Sequence, residues 1–186
     1  MKRTINENWI MAVLCLLVVF QAVVLVSSRP KSAPATQPVI SQQALAKLSF
    51  VPAKATIKKN ESVSIDVILT PKNAMKLDGA DVILTFNPQI LQVMQVSTPK
   101  LFSFVSEKKE KEKEGKIYVT FLEEKSGGLL IKGQVKLLNL TIKGKVAGTS
   151  EISVLVAEEG PSTVITESET SRKLPFDYEN FKLTVN

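Results

Sequence analysis

The carboxylates come first, because histidine is absent from the 186 residues and the only cysteine is Cys15. Without an imidazole or a second thiol, Ser-His-Asp and Cys-His nucleophiles, His/Cys metal sites and an intramolecular disulfide are excluded. Glycosidase chemistry needs two carboxyl groups at a controlled separation. Glu123-Glu124 and Glu158-Glu159 supply acids in number, but neighbouring strand residues point to opposite faces, so neither pair converges. No spaced Asp loop of the calcium-binding kind is present. The reading is a chain that does no catalysis and takes no cofactor or metal.

Binding is the chemistry that remains. Along Gly79–Phe86, alternation turns Val82, Leu84 and Phe86 inward and leaves Asp81, Ile83 and Thr85 outside. On neighbouring strand candidates Tyr118, Thr120 and Leu122 point outward, as do Leu137 and Asn139, with Glu124 in the loop that follows Leu122. Such a set, Ile, Tyr and Leu around Asp and Asn, has the make-up of a protein interface with an apolar centre. The alternative for Ile83 and Leu122 is burial under a loop, and for Asp81 the blunting of a strand edge. A carbohydrate-binding face calls for a strip of exposed Trp or Tyr. The single Trp is Trp9 and the tyrosines are Tyr118 and Tyr178, which favours a protein partner over a polysaccharide.

Charge excludes another class. The net charge is +6, but Lys2, Arg3, Arg29 and Lys31 lie ahead of the domain against Glu7 alone of the acids. What remains is nearly balanced, and no basic and aromatic residues interleave, so nucleic acid is not a partner. The run Glu107–Gly115 alternates Lys and Glu, and its mixed signs make it a solvated loop between strands rather than an anchor for lipid or phosphate.

These residues need elements to position them. From Leu48 onward the apolar period is two: Val63, Ile65, Val67 and Leu69; Val82, Leu84 and Phe86; Leu91, Val93 and Val96 after a turn at Asn87-Pro88; Ile117, Val119 and Phe121. Val135, Leu138, Leu140 and Ile142 follow with a slip in phase near Leu137 that predicts a bulge. Ile152, Val154 and Val156, then Phe181, Leu183 and Val185, complete the set. Short strands divided by Gly, Pro, Asn and Lys-rich turns predict an all-β domain, an antiparallel β-sandwich or jelly roll, over 47–186.

Ahead of it, Trp9–Val26 is apolar apart from Gln21. A helix there just spans a bilayer core, so a transmembrane helix or signal-anchor is expected over 9–28 and membrane contact through 9–26. A cleaved signal peptide is the alternative, with Val26 and Ser28 before the cut. Its apolar run exceeds the usual length for such a peptide, and Arg29-Pro30 would be an awkward new start. Residues 1–8 form a short cytoplasmic tail, and 29–46, with Pro30, Pro34 and Pro38, a solvated linker. The expectation is a single-pass membrane protein with its C-terminal domain extracellular, or a secreted domain if the segment is cleaved.

Four segments carry a family likeness. They are Glu61–Leu69, with Asn60 where a glycine is usual; Leu77–Val93, with Asn87 in place of an Asp; Gly133–Ile142, followed by a turn at Ala147–Ile152; and Ser162–Ile165. In this order, across about Leu48 to Val185, they resemble a cohesin module, the receptor half of the cohesin–dockerin pair of bacterial cellulosome-type assemblies. The resemblance implies a jelly-roll sandwich of about nine strands, a dockerin-bearing protein docked on one sheet face, and a role in polysaccharide-related assembly. It places Asp81 where many cohesins carry a partner-contacting Asp, and Glu124 near the loop after the fifth strand. A carbohydrate-binding module and an Ig-like surface adhesin or pilus component are the competing readings.

Overall fold

Period-two stretches fold as strands wherever a second layer can bury one of their faces, and here two sheets bury each other's. The computed structural model describes residues 43–108 and 112–186. The expected tail over 1–8, the apolar segment 9–28, the linker up to residue 42 and the centre of the charged run lie outside the described residues. Among those described, no helix is long and apolar enough to cross a membrane, and no group of His, Cys, Asp or Glu could hold a metal ion.

The smaller sheet has five strands, in the order β12 (Phe176–Tyr178), β1 (Ala46–Val51), β3 (Ser62–Pro71), β9 (Val135–Gly144) and β5 (Leu91–Ser97). The larger runs β2 (Lys54–Ile57), β13 (Phe181–Val185), β10 (Gly148–Val154), β4 (Met75–Thr85), β7 (Lys116–Leu122) and β6 (Phe104–Lys108). Two short strands, β8 (Leu129–Ile131) and β11 (Val164–Glu167), also pair with β4. Each edge of this long strand is thus shared, by β7 then β8 on one side and by β10 then β11 on the other.

The expected all-antiparallel sandwich is modified at its ends. The first stretch crosses from the small sheet to the large one between β1 and β2, where Pro52 has no N–H to continue a ladder. The last stretch makes the same crossing between β12 and β13. As a result β1 pairs β12, and β2 pairs β13, in parallel.

Between the sheets lie Leu48, Ile65, Leu69, Leu84, Leu140 and Phe181, all out of contact with water. Phe50 leans on Phe181 and Phe102 on Phe121, with ring centroids 6.1 and 5.4 Å apart. The phase slip read near Leu137 is a bulge. Val67 pairs Leu138 while Ile68 pairs Lys136, which leaves Leu137 as the extra residue. Leu137 and Leu138 are therefore both buried in the core.

Two turns follow from their side chains. Asn87 accepts a hydrogen bond from the N–H of Gln89 on its Oδ1 at 2.9 Å, closing the Asn87-Pro88 corner. Asn60, where the family likeness led to the expectation of a glycine, has φ of 68° and donates its N–H to the Gly144 carbonyl at 2.8 Å. Asparagine tolerates this left-handed backbone and a β-branched residue does not. Asn60→Gly should leave stability within about 0.5 kcal/mol and Asn60→Val should cost about 1–2 kcal/mol, read from urea unfolding. Equal stabilities for the two variants would refute the assignment.

Candidate partner-binding face

The outer face of the large sheet is ordered by register. Opposite one another across β6, β7, β4 and β11 stand Phe104, Leu122, Gly79 and Thr166 in one row, and Ser106, Thr120, Asp81 and Val164 in the next. In a third row Tyr118 faces Ile83. Asp81, Thr120 and Leu122, expected on one face from alternation, do share it. The Thr120 hydroxyl donates to Asp81 Oδ1 at 2.6 Å, which fixes the carboxylate and leaves it lone pairs for another donor. Phe104 and Leu122 are 47% and 45% exposed, a cross-strand apolar pair in contact with water.

Four expected members stand differently. Ile83 points outward, yet it is only 5% exposed. The chain leaves the β4 edge after β10, and the loop 156–162 projects there before the chain returns as β11. The Thr163 hydroxyl accepts from the Ile83 N–H at 3.0 Å and donates to the Ile83 carbonyl at 3.2 Å, filling the gap in the ladder. A cleft of about 330 Å³ remains between this flap and the sheet, lined in part by Asp81, Ile83, Tyr118, Thr120 and Pro161. Thr85 sits half-buried at the strand end, its hydroxyl 3.5 Å from the Ser153 carbonyl. Leu137 is in the core, because the bulge turns it inward. Asn139 belongs to the other sheet, because β9 pairs β3 and β5 rather than β4.

There Asn139 has a structural task. Its Nδ2 donates to Asp66 Oδ1 at 2.6 Å and to Ser64 Oγ at 2.8 Å, and Lys136 Nζ lies 2.8 Å from Asp66 Oδ2. Burial tends to raise the Asp66 carboxyl, but the hydrogen bonds from Lys136 and Asn139 and the charge of Lys136 outweigh it and hold the group below its ordinary 3.8. A carboxyl lowered by folding contributes stability that is complete above its unfolded value and is lost as pH falls through the folded one. Wild type should therefore lose more stability than Asp66→Asn on acidification from about pH 5 to about pH 2. Thermal midpoints of both proteins across that range are the measurement, and parallel curves would refute it.

The sequence reading left out Phe104 and Ser106, because β6 runs straight into the Lys/Glu-rich segment and shows too short an alternation. It also left out Val164 and Thr166 on β11. Glu124 is exposed in the β7–β8 loop, and its neighbour Glu123 proves the better connected. The Glu123 carboxylate accepts from the Ser103 hydroxyl and from the Lys125 N–H, the latter at 3.0 Å, while its own N–H donates to the Asp78 carbonyl at 2.7 Å. The Ser103 hydrogen bond, then that of the Lys125 N–H, holds the carboxyl below the usual glutamate range.

A sandwich whose large sheet presents Asp81 and an exposed apolar pair agrees with the family likeness, and the sequence model for the Cohesin domain matches residues 47–174. The chain belongs to the cohesin family. Solved structures agree in fold. The OlpC cohesin of Clostridium thermocellum, in complex with the dockerin Doc435, superposes with a TM-score of 0.64 at 13% identity, covering 77% of this chain and 94% of that one. The sixth cohesin of scaffoldin B from Acetivibrio cellulolyticus, in complex with the Cel5 dockerin, gives 0.62 at 17%, covering 76% and 99%. A non-cellulosomal cohesin from the archaeon Archaeoglobus fulgidus gives 0.58 at 14%, covering 77% and 92%. No curated protein matches. As a cohesin domain the chain is a non-catalytic binding module.

Proposed function

We propose that this cohesin domain is the receptor for a dockerin-bearing protein, and that the partner docks on the outer face of β6, β7, β4 and β11. The observation that carries the reading is the juxtaposition on a cohesin fold of an exposed Phe104–Leu122 pair with an Asp81 carboxylate held by Thr120. A partner suited to it brings an apolar side chain for the pair and a hydroxyl or cationic donor for Asp81. Several of the structurally similar cohesins were solved with dockerins bound, which supports the same class of partner here. The exposed aromatics argue against a sugar platform. Among the described residues of this face Phe104 is the one exposed aromatic, Tyr118 being half-buried two rows away, and Tyr178 lies on β12 at the edge of the other sheet.

The test is calorimetric titration of the full-length chain with a panel of dockerins that includes Doc435, Doc918 and CaDoc0917. At least one member should bind with Kd of about 1 μM or tighter, and Asp81→Ala should weaken it about tenfold. A panel in which nothing binds would sink the reading. Retention on cellulose, xylan or chitin affinity gels would favour the carbohydrate alternative.

We further propose that Trp9–Val26 holds the domain at a membrane with residues 47–186 outside, where a dockerin-bearing protein would meet it. Its length and apolarity support this. Alkaline extraction should leave the chain with the membrane, and protease added to intact cells should remove the domain. Recovery of the domain from the medium would mean cleavage instead.

A further inference from the structure

The Phe104–Leu122 pair sits at a weak place in the sheet. Among the described residues β6 is an edge strand of five residues whose one neighbour is β7, and such strands fray and exchange easily. Phe104 is also the first residue of that strand. Two attachments hold its approach. On the inner side Phe102 is buried against Phe121, ring centroids 5.4 Å apart. On the outer side the Ser103 hydroxyl donates to the Glu123 carboxylate, which takes a second hydrogen bond from the Lys125 N–H. The Glu123 N–H in turn donates to the Asp78 carbonyl. One residue therefore ties the start of the edge strand to the end of β7 and to β4, immediately beside the exposed pair.

We infer that Glu123 is a positioning residue, whose clasp on Ser103 presents Phe104 beside Leu122 as a preformed apolar anchor for the partner. This rests on the docking face proposed above. Ordering the strand start before binding removes an entropy cost from association, which raises affinity with no contact between Glu123 and the partner. The carboxylate suits the task better than an amide, because hydrogen bonds to an ionised acceptor are stronger.

Two measurements decide it. In the free full-length chain, amide hydrogen exchange at Phe104–Ser106 should accelerate about tenfold in Glu123→Ala and in Ser103→Ala, less in Glu123→Gln, and stay unchanged in β3 and β9. Unaltered exchange at Phe104–Ser106 would overturn the inference, whether or not any dockerin binds. With the tightest dockerin of the panel, Glu123→Ala should raise Kd about fivefold, and the effect should vanish in a Phe104→Ala background. An undiminished effect in that background would mean that Glu123 touches the partner directly, which also overturns it. If no dockerin binds, the receptor reading fails and the exchange experiment alone decides the clasp.

Discussion

Leu122→Arg should raise the Kd for a bound dockerin by about 100-fold and leave the fold intact, the largest binding effect expected of any single change on this face. The two halves of that expectation have different causes. Leu122 lies 45% exposed in the free domain, between Phe104 on β6 and Gly79 on β4. An arginine there extends into water, so the free protein loses under about 1 kcal/mol. In the proposed complex the partner covers the same position. Docking then removes apolar contact and must desolvate a guanidinium with no prepared partner. The carboxylates of Asp81 and Glu123 are already engaged, the first by Thr120 and the second by Ser103 and Lys125. Titration of the variant, with its thermal midpoint taken alongside, checks the prediction. An unchanged Kd with an intact fold would place the docking surface elsewhere on the domain.

How far the sequence foretold this face depends on the range of the contacts involved. Local features were legible. Alternation set the inward and outward residues of β4 and β7, the Asn87-Pro88 corner was visible in its own side chain, and the slip near Leu137 announced a bulge. The non-local ones were not. Which sheet receives β9 depends on pairing with β3 and β5, strands tens of residues away in sequence, and nothing in Val135–Gly144 itself specifies it. Asn139 was misplaced for that reason. Leu137 was misplaced for a different one, since a bulge was foreseen but not the face to which it turns its extra residue. Phe104 was missed because an edge strand needs only one neighbour and can be short. Here its alternation ends after Ser106, where the sequence turns to charged residues.

Ile83 is the residue at which alternation gave the right direction and the wrong surroundings, and it carries the largest expected loss of stability. Ile83→Arg should cost about 3–5 kcal/mol, far beyond a substitution on an exposed sheet face. The isoleucine is covered at the point where the flap rises, so an arginine must either bury its charge or lift the loop 156–162 away. Lifting the loop breaks more than packing. Thr163 answers both peptide groups of Ile83, and its own N–H donates to the Leu155 carbonyl at 2.7 Å, closing the base of the flap. Without the Thr163 hydroxyl the Ile83 N–H, which faces away from β7, has no acceptor, whereas its carbonyl keeps the Leu155 N–H at 2.8 Å. Thr163→Val, which keeps the shape and deletes that acceptor, should therefore cost about 1–3 kcal/mol. Urea unfolding of wild type and the two variants gives the comparison. Losses under about 1 kcal/mol in both would mean that the flap is not fastened to β4 as described. Binding separates this pair of residues from Leu122, because a dockerin should bind Thr163→Val with nearly unchanged Kd wherever the variant remains folded.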